Sequence, residues 1–236
     1  MLKAKLVSSV VACVVTASTV VRSEERSPSF DELHQHIVTL HAETKPKGME
    51  RFFSAFSIAT NGRESILVSS SWGAEPFSKS KKIDSLHVEN TKEPVRIIAF
   101  DTNLGVAIFS IKRVVPPWPR EKSVEVSVGD HVDEIVLKSR AYRPSRSKPC
   151  KVKTTESTFV HPDETNAQKV SGTFILKGRL AGTPGSLILK HGKLAGVFLQ
   201  TAGIDFKDMD FHIVPTELLL ERAQGLLARS KKKKET

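Results

Sequence analysis

The sequence predicts an all-β protein made of two β-barrels, with a short N-terminal helix and a longer C-terminal helix. Its apolar runs are short and rich in Val, Ile, Ser and Thr, a composition that favours strands. Turn residues separate these runs, for example Asn61-Gly62, an Asn-Gly pair typical of a hairpin. The proline-rich segment 114–119 divides roughly a dozen predicted strands into two groups, as expected for two packed barrels.

The two helices are predicted from their capping signals. Ser29 and Glu32 form a capping-box pattern, so a short helix is expected to begin at Phe30 and to lead into the first strand. Pro215 and Thr216 mark the start of the C-terminal helix. Its apolar side is predicted to consist of Leu218, Leu219, Leu220, Leu226 and Leu227.

These boundaries predict three parts of the chain. Residues 1–25 are expected to form a targeting segment or anchor, 26–229 one double-barrel domain, and 230–236 a basic tail. Within the domain, barrel one is expected at about 36–115, barrel two at about 120–214 and the helix at 215–229.

The N-terminus has the composition of a targeting segment. Lys3 and Lys5 precede an uncharged run from Leu6 to Val21, which is short for a membrane span and fits a signal peptide. The absence of acidic residues before Glu24 also suits a mitochondrial or plastid transit peptide. Secretory entry, organelle import and an uncleaved membrane anchor all remain open.

The chain is basic, with a formal net charge of +10, and its charge is uneven. Segment 138–153 holds seven basic residues and no acidic one. Such a segment attracts anions or nucleic acid, although a solvated loop explains it equally. Tyr142 is its one aromatic residue, which argues against base stacking. The candidate anion-binding residues are Arg140, Arg143, Arg146 and Lys148.

The lysine-rich tail ends in Lys233-Lys234-Glu235-Thr236, a pattern shared with dilysine retrieval signals. Nuclear import is a further interpretation of such a tail, and solubility is a third.

Neither a disulfide, a metal site nor a cofactor is predicted. Cys13 lies in the N-terminal apolar run, so pairing with Cys150 is not expected. His34, His36 and His41 have ligand-like spacing, but they cross the predicted helix-to-strand boundary and need not converge.

Five segments, in order, resemble the protease domain of the Do-like (HtrA/Deg) family of trypsin-fold serine proteases. The resemblance covers about residues 36–229 and does not extend to the family's PDZ domain. It implies a trypsin-like double β-barrel. The segments are ESILVSSSWG, VRIIAFDTNLGVAIFSIK, VSVGDHVDEIVLKSRA, GTPGSLILKHGKLAGVFLQTA and FHIVPTELLLERAQGLL.

The resemblance places the three catalytic positions on Ser71 for the histidine, Gly105 for the aspartate and Pro184 for the nucleophile. A nucleophilic triad requires a hydroxyl, a base and an orienting carboxylate, and this set supplies none of them in its proper place. Pro184 also lacks the backbone N–H that the family uses in its oxyanion hole. Gly182 is the residual oxyanion donor that the resemblance implies.

The resulting hypothesis is a catalytically inactive protease homologue that binds proteins or peptides or regulates them. Homo- or hetero-oligomers with related proteases are implied by the resemblance alone. The first alternative is a weakly active or partner-dependent endopeptidase with a displaced nucleophile, for which Ser186 is the candidate and His191 or His212 the base. The second alternative is an anion- or nucleic-acid-binding protein.

Overall fold

The computed structural model describes most of the domain that the sequence predicts. The described residues are 33–44, 50–71, 83–89, 91–136, 145–146, 150–160, 169–178, 180, 184–202 and 210–235.

The first barrel is a six-stranded antiparallel sheet with the strand order β4-β1-β2-β3-β6-β5. Its edge strands β4 and β5 approach each other where the chain turns between them, and Val95 N–H donates to Leu86 O at 2.9 Å. Apolar side chains from both ends of the sheet fill its interior. The strands are β1 (Ile37–Thr44), β2 (Glu50–Thr60), β3 (Ser65–Ser70), β4 (Ile83–Val88), β5 (Arg96–Asp101) and β6 (Val106–Ile111).

The second barrel is a seven-stranded sheet with the order β11-β12-β13-β10-β9-β7-β8, and a further β11–β7 pairing closes it. Its strands are β7 (His131–Val136), β8 (Ser145–Arg146), β9 (Cys150–Val160), β10 (Lys169–Lys177), β11 (Leu187–Lys190), β12 (Lys193–Ala202) and β13 (Asp210–Pro215). The all-β prediction with two barrels is therefore confirmed, because the described strands fall into these two sheets.

The segment between the barrels packs against barrel one through its apolar side chains. Trp118 is 5% exposed, and its backbone N–H donates to the Ser57 carbonyl oxygen at 2.7 Å. The Ser57 hydroxyl in turn donates to Val115 O at 2.8 Å. These two hydrogen bonds therefore hold the proline-rich segment against strand β2.

The C-terminal helix spans Thr216–Glu235 and closes the gap between the two barrels. It begins where Pro215 and Thr216 predict, but the predicted end at residue 229 is wrong. The lysines after Ser230 are good helix formers and no Gly or Pro interrupts them, so the helix continues into the tail. The buried face of the helix consists of Thr216, Leu219, Leu220, Ala223 and Leu226.

At the other end of the domain, Leu33 and His34 are helical, and the predicted helix start at Phe30 lies outside the described residues. Among the helices of the described residues, none combines the length and apolar character that crossing a membrane requires.

Candidate functional site at the junction of the barrels

Ser71 and Gly105 are in direct contact at the end of strand β3. The backbone N–H of Ser71 donates to the Gly105 carbonyl oxygen at 3.0 Å, extending the β3–β6 ladder by one step. Ser71 is 4% exposed. The sequence thus places a small hydroxyl and a glycine side by side at the position where barrel one meets barrel two.

Gly105 faces barrel two at very short range. Its φ is +70°, in the left-handed region, and a Cβ built on it would lie 3.0 Å from Val170 Cγ1. The same Cβ would lie 3.4 Å from Leu199 Cδ1 and 3.4 Å from Val214 Cγ2. These three apolar side chains occupy the space that a side chain at position 105 would need, so glycine is required here for both conformation and room.

The loop that carries Gly105 is held from both sides. Asp101 Oδ1 accepts the Leu104 N–H at 3.1 Å, a side-chain to backbone bond typical of an aspartate in a turn. Arg222 of the C-terminal helix donates to Leu104 O at 2.7 Å and to Ser171 O at 2.6 Å. Burial lowers the pKa of Arg222 from its ordinary value. The helix therefore links the barrel-one loop to strand β10 of barrel two.

Pro184 lies in a tight turn that packs against barrel one. Gly185, the next residue, has φ +96° and donates its N–H to Phe198 O at 2.7 Å. A Cβ built on Gly185 would lie 2.6 Å from the Cβ of Phe53 on β2. Phe56 pairs with Val68, and Phe53 lies three residues from Phe56 in the direction in which β3 runs on to Ser71. The Pro184 turn therefore approaches the same end of barrel one as Ser71.

A stretch of β12 beside this turn has a strand neighbour on one side only. Strand β11 pairs with β12 up to Leu187–Val197, whereas β13 pairs with β12 as far as Ala202. Beyond Phe198, the described strands therefore flank β12 on the β13 side alone. Strand β10 is an interior strand between β9 and β13.

The candidate residues for a displaced catalytic site do not form one in the described structure. Ser186 is 2% exposed, so its hydroxyl is closed to solvent. His212 lies 3.1 Å from the Thr173 hydroxyl, and burial lowers the pKa of its imidazole below 6.5. His191 is exposed in the turn between β11 and β12, with φ +50°.

Several predicted residues lie outside the described parts of the chain. They include the oxyanion donor Gly182 and the anion-binding candidates Arg140, Arg143 and Lys148. Arg146 belongs to the two-residue strand β8, which pairs with β7. Cys150 is 1% exposed and packs against Gly178, so its thiol is not an accessible nucleophile.

The three closely spaced histidines near the N-terminus diverge. His36 Nδ1 donates to Pro116 O at 3.0 Å, and its ring packs edge-on against Trp118. His41 instead faces His87 of β4, with 3.0 Å between Nδ1 and Nε2. His87 was not considered in the sequence interpretation. The signal that would have found it is a repeated His-x-Glu pattern, His41-x-Glu43 and His87-x-Glu89.

Comparison with family models and with curated proteins finds no match to this chain. Solved structures do match. The MamO protease domain from Magnetospirillum magneticum (apo form) aligns with a TM-score of 0.58 and 12% identity, over 80% of this chain and 95% of that chain. The active form of the Rv3671c protease from M. tuberculosis aligns at 0.60 and 14%, over 95% and 93%.

The HtrA-type protease AlgW, solved with a decapeptide, aligns with a TM-score of 0.55 and 13% identity. This alignment covers 83% of this chain and 65% of the AlgW chain. At such identities the likeness establishes the fold alone. This chain has the trypsin-like double β-barrel fold of HtrA/Deg-type proteases, as its sequence predicts.

Proposed function

We propose that this chain is a non-catalytic trypsin-fold protein that binds extended peptide segments of other proteins at the junction of its barrels. One observation carries the loss of catalysis. The space at Gly105, where the orienting carboxylate of a triad would stand, is filled by Val170, Leu199 and Val214. A side chain at this position would have to displace these apolar groups from a backbone with a left-handed φ, so the packing disfavours the carboxylate that a triad needs.

The other two triad positions support the same conclusion. Ser71 offers a hydroxyl where an imidazole would have to accept a proton, and an alcohol is a very weak base near neutral pH. Pro184 offers neither a hydroxyl nor an N–H. The buried Ser186 does not replace it, because a nucleophile must reach the substrate carbonyl.

Peptide binding is supported by a segment of β12 that, among the described strands, pairs with β13 alone. This segment, residues 199–202, follows Phe198, which is hydrogen-bonded to the Pro184 turn. A strand with an open side can accept another chain through backbone hydrogen bonds, with pockets for alternate side chains giving selectivity. AlgW, which aligns with this chain over 65% of its own length, has been solved with a decapeptide.

The test combines binding and cleavage in one sample. Peptides selected from a random display library against the full chain are incubated with it, and backbone amide exchange and peptide mass are followed together. We expect slower exchange in residues 199–202 and a peptide of unchanged mass. Strand β5, an edge strand of the barrel-one sheet, is the internal reference. Its backbone amides are expected to exchange at the same rate with and without peptide.

Two results would contradict the proposal in different ways. Cleaved peptide would restore the endopeptidase alternative. Protection confined to β5, or to segment 138–153, would place the binding surface elsewhere, and the second pattern would favour the anion-binding alternative.

A further inference from the structure

Two His-x-Glu pairs meet on one face of barrel one, outside the junction. His41 and His87 are directly opposite each other in the antiparallel β1–β4 register. Because side chains alternate along a strand, Glu43 lies on the same face as His41. Glu89 follows His87 by two residues, and its N–H donates to Thr39 O at 3.1 Å, which continues the β1–β4 register. We call these four residues the His-Glu cluster.

The cluster converges on one atom, Nδ1 of His41. His87 Nε2 lies 3.0 Å from it, Glu89 Oε2 3.3 Å and Glu43 Oε1 4.0 Å. One ring N–H can donate well to only one acceptor, so hydrogen bonding alone does not satisfy three such neighbours. Glu89 Oε2 is buried and accepts no hydrogen bond from the described residues.

These spacings match a metal-ligand shell. Zn²⁺ binds imidazole nitrogen at about 2.0–2.1 Å in a tetrahedral arrangement, which separates the ligand atoms from one another by about 3.4 Å. The distances from His41 Nδ1 bracket that value. Single ligand atoms of His41, Glu43 and His87 all lie within 4.8 Å of one another.

The charge and rigidity of the cluster also suit a divalent cation. Two neutral imidazoles and two carboxylates carry a formal charge of −2, in a chain whose net charge is +10. The His41 ring stacks on Phe52 of β2 with 4.3 Å between the ring centroids and 12° between the planes. This stacking fixes the ring orientation before any ion arrives, which lowers the cost of assembling the shell.

We propose that the His-Glu cluster binds a divalent transition-metal ion of the zinc class, with His41, Glu43 and His87 as ligands and Glu89 as the adjacent carboxylate. The ion fastens the edge strand β4 to β1. Imidazole and carboxylate ligands together favour such ions over Mg²⁺ and Ca²⁺, which prefer all-oxygen shells. The Glu43 side chain is 45% exposed, so an ion can enter from solvent on that side.

The test is a titration of the full chain with zinc chloride after treatment with a chelator, followed by calorimetry. We expect one site that is absent, or at least about 100-fold weaker, in Glu43→Gln and in His87→Gln, because each change removes a ligand. Glu43→Gln is the safer variant for folding, since the Glu43 side chain is 45% exposed, compared with 10% for His41 and 16% for Glu89. Cobalt chloride supplies a second readout, because four-coordinate Co²⁺ absorbs visible light strongly and zinc does not.

Two control variants separate this site from diffuse binding. His131→Gln removes an exposed histidine of barrel two, and Glu93→Gln removes a carboxylate of the turn that follows β4. Both are expected to bind zinc as the wild type does. The proposal is overturned if the wild type binds no zinc, or if Glu43→Gln and His87→Gln titrate like the two controls. A cobalt spectrum with thiolate bands would also overturn it, because the cluster contains no cysteine.

Discussion

The two barrels contribute unequally to the junction between them. On the barrel-one side, Ser71 and Gly105 are bonded to each other and covered by apolar side chains of barrel two. On the barrel-two side, the Pro184 turn has a positive-φ glycine and two backbone hydrogen bonds to Phe198, and beyond Phe198 the described strands flank β12 on the β13 side alone. The barrel-one side is filled by packing, whereas the barrel-two side includes the β12 segment that we propose as the peptide-binding surface.

This difference shows that the groups needed for catalysis and the groups needed for peptide binding lie on different parts of the junction. Catalysis needs the side chains of both barrels within hydrogen-bond reach, and the filled Gly105 space is the basis on which we propose its loss. Strand addition needs only backbone groups of β12, which a substitution at position 105 or 184 leaves in place. The three predictions below test this asymmetry, from the largest expected effect to the smallest.

The largest effect is expected for Gly105→Asp, which restores the acid that the resemblance implies. The new Cβ would lie 3.0 Å from Val170 Cγ1 in a backbone with φ +70°. Strain contributes about 1–3 kcal/mol and burial of an unpaired polar group about as much again, so unfolding should become easier by about 3 kcal/mol or more. Urea unfolding measures the change.

The matched control for that variant is Gly62→Asp. Gly62 has φ +83° but nothing within 4 Å of a built Cβ, so it isolates the conformational cost, about 1–2 kcal/mol. Equal losses in the two variants would mean that the Gly105 space is open, and the triad could then be rebuilt. The combination Ser71→His, Gly105→Asp and Pro184→Ser should remain unlabelled by a serine-directed fluorophosphonate.

An intermediate effect is expected from acid on barrel two. Burial lowers the pKa of His212, and neighbouring Lys153 lowers it further while Asp210 raises it. The folded state therefore holds His212 neutral at a pH where the unfolded chain, with an ordinary pKa of 6.5, already binds a proton. Stability from this residue is complete above pH 6.5 and is lost as the pH falls from there towards the lowered folded-state pKa.

His212 pairs with Gln200 across the β12–β13 ladder, so this loss falls on the strand that holds the open segment of β12. The measurement is the unfolding free energy as a function of pH for wild type and His212→Gln. The variant should show a flatter dependence below pH 6.5. If the two curves of unfolding free energy against pH are parallel, other groups cause the acid sensitivity of the protein, and the prediction for His212 is wrong.

Local patterns predicted much of the fold. The Asn61-Gly62 pair forms the turn between β2 and β3, with Gly62 in the left-handed conformation that such a turn needs. Pro215 and Thr216 start the C-terminal helix as expected. These features depend on a few neighbouring residues, which is why the sequence reveals them.

Long-range packing could not be predicted in the same way. Gly105 is crowded by side chains from β10, β12 and β13, whose approach depends on how the two barrels dock. The His-Glu cluster needs the β1–β4 register, which joins residues 46 positions apart. The His-x-Glu repeat was readable in the sequence, but no local rule states that the two strands are neighbours.

The smallest effect is expected for Pro184→Ser, which returns only a hydroxyl to the barrel-two side. Pro184 is half-buried in its turn, and losing the proline ring should cost about 0.4–1 kcal/mol through a freer unfolded chain. Pro117→Ser, at an exposed proline between the barrels, is the matched control and should cost a similar amount. Neither variant should react with a fluorophosphonate, because the resemblance assigns the base and the orienting carboxylate to Ser71 and Gly105, which supply neither group. Labelling of Pro184→Ser would reveal a base that reaches the turn, and the junction would then have to be regarded as a site lacking only its nucleophile.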